Sequence, residues 1–149
     1  MARLLCGSSL LLLLCVLAFA SANLMQFGRI IEHLTGRTRQ EYTAYGCLCV
    51  WRGSGQPLDD TDRCCHVHDC CYEAVSVGNC DPKKESYLYS IRKDNITCRA
   101  GNECQRQTCE CDKAAALCFR RSTFRDEYIG YPECECKGAT PPCANTKSG

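Results

Sequence analysis

Beyond Asn23 the chain lacks any apolar run approaching the ~20 residues that a membrane-spanning helix needs, so no anchor is expected there. It also lacks a surplus of charge. Eighteen basic and seventeen acidic residues give a formal charge of +1, and setting aside Arg3 leaves seventeen of each. No basic field therefore attracts nucleic acid or drives strong adsorption to anionic membranes. Repeats, low-complexity tracts and linkers are missing as well, and a single domain of ordinary size is expected. Cysteine is what the chain has in excess, with seventeen in 149 residues.

What those cysteines mean depends on the compartment. Met1 to Ala22 carries Arg3, a Leu-rich stretch from Leu10 to Leu17, and the small residues Ala20-Ser21-Ala22. This pattern is that of a secretory signal peptide, residues 1–22, leaving residues 23–149 as the mature domain. Cys6 and Cys15 leave with the signal, and fifteen cysteines remain. Such density marks a disulfide scaffold from an oxidising compartment. Zinc is the competing reading, but zinc ligand pairs are usually separated by two to four residues, whereas Cys64-Cys65 and Cys70-Cys71 sit side by side. Fifteen is odd, so one thiol is free or pairs with another chain.

The most informative stretch is Asp62-Arg63-Cys64-Cys65-His66-Val67-His68-Asp69-Cys70-Cys71-Tyr72. Successive helical side chains point about 100° apart, so four such cysteines tie one helix to four places. That restraint holds His68 and Asp69 nearly fixed, as preorganised acid–base or metal chemistry requires. Upstream, Leu24, Phe27, Ile30, Ile31 and Leu34 recur at helical spacing until Thr35-Gly36, predicting an N-terminal amphipathic helix with Met25 and Arg29 off its apolar stripe. The Gly- and Pro-rich segment Tyr45 to Pro57 reads as a loop pinned by Cys47 and Cys49. Asp59 or Asp60 caps a helix running to about Val75. Tyr87 to Ile91 alternates like one arm of a hairpin. Glu103 to Arg121, free of glycine and containing Ala114-Ala115-Ala116, predicts a second long helix. Asn95-Ile96-Thr97 is a glycosylation sequon.

These residues resemble the secreted phospholipase A2 family along the whole mature chain. The matching pieces are Tyr45-Gly46-Cys47-x-Cys49, the Asp62 to Tyr72 run, Cys109-Glu110-Cys111-Asp112 and Cys136-x5-Pro142-Cys143. Cys104 to Arg121 and the ending Thr140-Pro141-Pro142-Cys143 look most like group II, and within it the IIE branch. The resemblance implies a mainly α, disulfide-rich fold: an N-terminal helix, a calcium loop, two long antiparallel helices and a small β-wing. It also implies the bridges Cys47–Cys136, Cys49–Cys65, Cys64–Cys118, Cys70–Cys143, Cys71–Cys111, Cys80–Cys104 and Cys98–Cys109, leaving Cys134 as the odd thiol. On the first long helix Cys64, His68 and Cys71 then share one stripe facing the second.

The function so implied is calcium-dependent hydrolysis of the sn-2 ester of phosphoglycerides at a membrane or micelle surface. His68 would be the base that activates water and Asp112 its orienting carboxylate, with Tyr72 and Tyr87 hydrogen-bonded to the Asp112 network. Ca2+ would be held by the carbonyls of Leu48, Val50 and Arg52 and by the Asp69 carboxylate, an oxygen-only set that suits this ion. Leu24, Phe27, Ile31 and Phe119 would line an acyl channel, although core packing explains their apolar character equally well. A monomer is expected, with a disulfide-linked dimer through Cys134 as the alternative. One segment departs from the family: Val50-Trp51-Arg52-Gly53 stands where Gly-x-Gly-Gly is usual. If those backbones need positive φ, Val50 is expected to be strained, and Arg52 places a cation near Ca2+. The alternative function is therefore a non-catalytic member of the scaffold, binding lipid, a receptor or mineral matrix.

Overall fold

The computed structural model describes residues 22–99 and 101–144, so the expected signal peptide lies outside the described residues save for Ala22. Among the described residues, four helices and one hairpin make up the regular structure: α1 (Ala22–Thr35), α2 (Arg39–Thr43), α3 (Asp60–Val75), β1 (Tyr89–Arg92), β2 (Asn95–Cys98) and α4 (Glu103–Arg121). Single 3-10 turns follow at Asp126–Tyr128 and Glu133–Glu135. The fold is mainly helical and disulfide-rich, as expected.

Local chemistry sets the helix ends. Asp59 caps α3 by accepting the Asp62 N–H at 2.9 Å. Asn102 and Gln105 close a reciprocal capping box at the start of α4. Caps of this kind contribute about 1 kcal/mol each. Helix α1 buries Phe27, Ile30, Ile31 and Leu34, but Leu24, expected on the same stripe, is 38% exposed. Ile31 and Phe119 lie in the main core with Tyr42, Ile96, Ala115 and Ala116, and Phe119 stacks on Tyr42 at 4.2 Å.

Helices α3 and α4 run antiparallel, because Cys64 pairs with Cys118 while Cys71, two turns on, pairs with Cys111. All seven bridges implied by the family resemblance are present. Cys134 is free and exposed. The hairpin registers Tyr89 with Cys98 and Arg92 with Asn95 across the two-residue tip Lys93-Asp94. Its first strand starts at Tyr89, two residues later than the alternation from Tyr87 suggests. Tyr87 is thus outside the ladder and buried beneath it, 2% exposed.

Candidate active site

The site is assembled around two carboxylates on the long helices, Asp62 and Asp112, both fully buried. Asp62 organises the loop that precedes α3. Its Oδ1 accepts the N–H groups of Leu48 at 2.8 Å and Cys49 at 3.2 Å. Its Oδ2 accepts those of Cys47 at 3.0 Å and Leu58 at 2.9 Å. A trans peptide directs its C=O opposite to its N–H, so the bond from Cys49 turns the Leu48 carbonyl away from Asp62. Gly46 makes this approach possible: it has φ +61°, and a Cβ there would come within 2.5 Å of the Asp62 carboxylate carbon. Nothing in the sequence reading singled out Asp62 for this role. Its position three residues after the capping Asp59 was the available signal, since a cap leaves little reason for another acid pointing inward.

Asp112 is the second organiser. His68 Nε2 donates to Asp112 Oδ1 at 2.7 Å, with the histidine side chain only 13% exposed. Tyr72 donates to the same oxygen and Tyr87 to Oδ2, each at 2.7 Å. Burial, reinforced by the Asp112 charge, pushes both tyrosine pKa values far above the ordinary phenol range, so both hydroxyls keep their protons. Phe27 stacks on the His68 ring at 4.6 Å, and the Tyr72 ring lies 4.3 Å away at a tilt. The structure therefore brings His68, Asp112, Tyr72 and Tyr87 into one hydrogen-bonded group.

Two α1 residues passed over in the sequence support that group. Asn23 donates from Nδ2 to the Tyr72 hydroxyl at 3.3 Å and to the Pro82 carbonyl. Gln26 grips the Tyr87 backbone at both ends, donating to its carbonyl at 2.6 Å and accepting its N–H at 3.1 Å. Their three-residue spacing beside Phe27 would have shown that the apolar stripe of α1 has a polar edge.

Asp69 follows His68 and points elsewhere. Burial raises its pKa above the ordinary aspartate range, with His68, Lys83 and His66 opposing the shift. The residue as a whole is exposed, so the desolvation falls on a carboxylate turned into the groove that also touches Cys70 and Cys71. Among the described residues it makes no hydrogen bond or ion pair. In the loop before α3, Val50 to Gly53 forms a turn closed by the Gly53 N–H on the Val50 carbonyl at 3.0 Å. A Cβ on Gly53 would fall 2.0 Å from the Cys47 carbonyl oxygen, so glycine is required there.

This turn corrects one expectation. Val50 does not adopt positive φ; Arg52 does, at +56°. The third residue of a hydrogen-bonded turn with this φ is the type II position that favours glycine, so the cost of the altered loop falls on Arg52. Trp51, between them, is 79% exposed, with the Lys83 ammonium 5.4 Å from its ring centre. Of the four residues expected at an acyl channel, Phe27 lies against His68, Ile31 and Phe119 are core residues, and Leu24 reaches the surface.

Comparison with known proteins identifies the family. The phospholipase A2 family model matches residues 24–129. Group IIE secretory phospholipase A2 of Mus musculus is 53% identical over 133 residues, covering 87% of this chain and 94% of the relative. Its Homo sapiens counterpart is 50% identical over 136 residues, covering 89% and 96%. A basic phospholipase A2, Ts-G6D49, from Trimeresurus stejnegeri is 46% identical over 124 residues, covering 81% of this chain and all of the relative. With matches of this extent spanning both long helices and the loop between Cys47 and Asp62, the chain belongs to the phospholipase A2 family.

Proposed function

We propose that the chain is a secreted phospholipase A2 that uses Ca2+ to hydrolyse the sn-2 ester of phosphoglycerides, releasing a fatty acid and a lysophospholipid. The observation that carries this reading is the commitment of His68 Nε2 to the buried Asp112 at 2.7 Å. Asp112 takes the Nε2–H, which leaves a lone pair on Nδ1. Phe27 and Tyr72 confine the ring, so Nδ1 is presented in one direction. It removes a proton from water as the oxygen attacks the ester carbonyl, and Asp112 stabilises the imidazolium so formed. The same proton is then passed to the departing glycerol oxygen. Tyr72 and Tyr87 hold Asp112 still through this cycle.

The residues present fit an oxygen-ligated hard cation. Asp69 is an exposed residue whose carboxylate has no hydrogen-bond or ion-pair partner among the described residues, and Asp62 is saturated by four N–H groups, leaving the loop carbonyls as the remaining donors. The Val50 carbonyl accepts only one hydrogen bond and keeps a second lone pair. Leu48, Val50, Arg52 and Asp69 would hold Ca2+, and the ion would supply polarisation of the ester carbonyl and stabilisation of the oxyanion.

Leu24, Met25 and Trp51 are exposed and apolar on a mature chain without net charge, so adsorption to a phospholipid surface rests on them more than on ion pairing. The relatives' secretory character, the disulfides and the signal-like pattern of residues 1–22 support secretion of residues 23–149. A second reading, a non-catalytic lipid-, receptor- or matrix-binding member, draws on one observation, the left-handed backbone of cationic Arg52. Vesicles carrying a labelled acyl chain at sn-1 or sn-2 separate the two. Calcium-dependent release of the sn-2 label alone is expected. No release from folded protein that binds Ca2+ saturably would leave the second reading.

A further inference from the structure

The sequon Asn95-Ile96-Thr97 has no part in the proposed chemistry, and the structure gives it a setting of its own. It forms β2, in which Ile96 is buried at 1% while Asn95 and Thr97 both face solvent. Neither exposed side chain is used by the fold: among the described residues, the Asn95 amide and the Thr97 hydroxyl make no hydrogen bond. Across the ladder they face Arg92 and Ser90, so the outer surface of the hairpin is polar and sterically open. Asn95 itself directly follows the two-residue tip, where Lys93 has φ +53°.

We propose that Asn95 carries an N-linked glycan that is presented at the tip of the hairpin. This rests on the secretory reading. The oligosaccharide comes from a polyprenyl-diphosphate-linked donor in the secretory pathway: a C–N bond forms between the first sugar and Asn95 Nδ2, the sugar–phosphate bond breaks, the diphosphate leaves on its lipid, and Nδ2 loses one proton. Thr97 supplies the hydroxyl that the sequon requires. The folded position then decides what the glycan does to function. His33, near the end of α1, contacts the Lys93 carbonyl, which seats the hairpin tip beside that end of the helix. Met25 lies eight residues earlier, about 12 Å along the axis. Asn95 pairs with Arg92, five residues along an extended chain from Tyr87, or about 16 Å. A glycan there shields the exposed face of the hairpin, and its point of attachment lies outside both the His68–Asp112 group and the exposed apolar residues Leu24, Met25 and Trp51.

The test uses the full chain secreted from a eukaryotic cell line, with intact-mass analysis before and after peptide N-glycosidase. A mass that falls on treatment, with position 95 then read as aspartate in the tryptic peptide, is expected. Asn95→Gln and Thr97→Ala should each run at the deglycosylated mass, whereas Thr97→Ser should keep the glycan. Hydrolysis of zwitterionic vesicles by Asn95→Gln should stay within twofold of wild type. Wild-type protein recovered from the medium with seven bridges and only the unmodified mass overturns the proposal and leaves secretion standing. A glycan whose removal changes vesicle hydrolysis more than tenfold overturns its placement.

Discussion

Replacing Arg52 by glycine probes the turn at Val50 to Gly53, where a cationic residue holds left-handed backbone, and two terms set the outcome. Holding a non-glycine residue in the left-handed region costs roughly 1–2 kcal/mol. Glycine relieves that cost but adds ~0.4–1 kcal/mol of unfolded-chain entropy, so the net gain is about 0.5–1 kcal/mol. For a domain of this size that corresponds to a rise of about 2–4 °C in Tm. The second term is charge. A guanidinium on the order of 8 Å from a divalent ion in water is repelled by about 1 kcal/mol, or roughly sixfold in affinity. At physiological ionic strength, where the Debye length is about 8 Å, this falls to about 0.4 kcal/mol. Arg52→Gly should therefore raise Tm slightly and tighten Ca2+ several-fold in low salt, less in high salt. Val50→Gly should do the opposite, since Val50 has no positive φ to relieve and its Cγ2 packs beside Gly53. Arg52→Asn removes the charge in a residue that tolerates this φ, and Arg52→Lys keeps both charge and strain. Differential scanning fluorimetry and calcium titration at two salt concentrations check the series. Weaker Ca2+ binding by Arg52→Gly, or shifts of the same sign and size for Val50→Gly, would refute the reasoning.

Asp62→Ala leaves four N–H groups without their acceptor, each worth about 1–3 kcal/mol when buried and unmet; secretion should fail or calcium titration lose its saturable site. Tyr72→Phe and Tyr87→Phe each remove one bond to a buried carboxylate, about 1.5–3 kcal/mol in thermal unfolding, and the double variant should deviate from additivity because both act on Asp112. Burial raises the Asp69 pKa above 3.8, so in metal-free protein its contribution to stability is present below that value and lost as pH rises through the raised one. Ca2+ needs the ionised form, so affinity should fall as pH drops towards that raised value, and Asp69→Asn should abolish both effects in titration and unfolding curves. Trp51→Ala should weaken binding to neutral vesicles in a sedimentation assay with little change in Tm.

The parts of the fold legible in the sequence are those fixed by local chemistry or by covalent restraint. The extent of α4, Glu103 to Arg121, followed from its glycine-free run of helix formers around Ala114-Ala115-Ala116. The His68 to Asp112 contact followed from the stripe of Cys64, His68 and Cys71 once the family pairing was accepted. Asp62, Asn23 and Gln26 escaped because, Leu58 apart, their partners are backbone groups and side chains 13 to 61 residues away, and nothing in local spacing indicates such contacts. Leu24 escaped differently. Periodicity alone placed it inside, but it lies at the first turn of α1, where no other element covers that edge of the stripe. The loop shows a third limit: composition revealed two missing glycines, yet only backbone geometry shows that one of the two positions has left-handed φ.

The account depends above all on His68 acting as the base while Ca2+ is held by other groups, and one paired measurement on the His68→Gln variant tests this directly. Calcium affinity and the initial rate of sn-2 ester hydrolysis would be determined on the same preparation of wild-type and variant protein. Calcium affinity within a few-fold of wild type, with hydrolysis reduced at least about a thousandfold, is the expected result. A variant that keeps most of the wild-type rate would contradict the account.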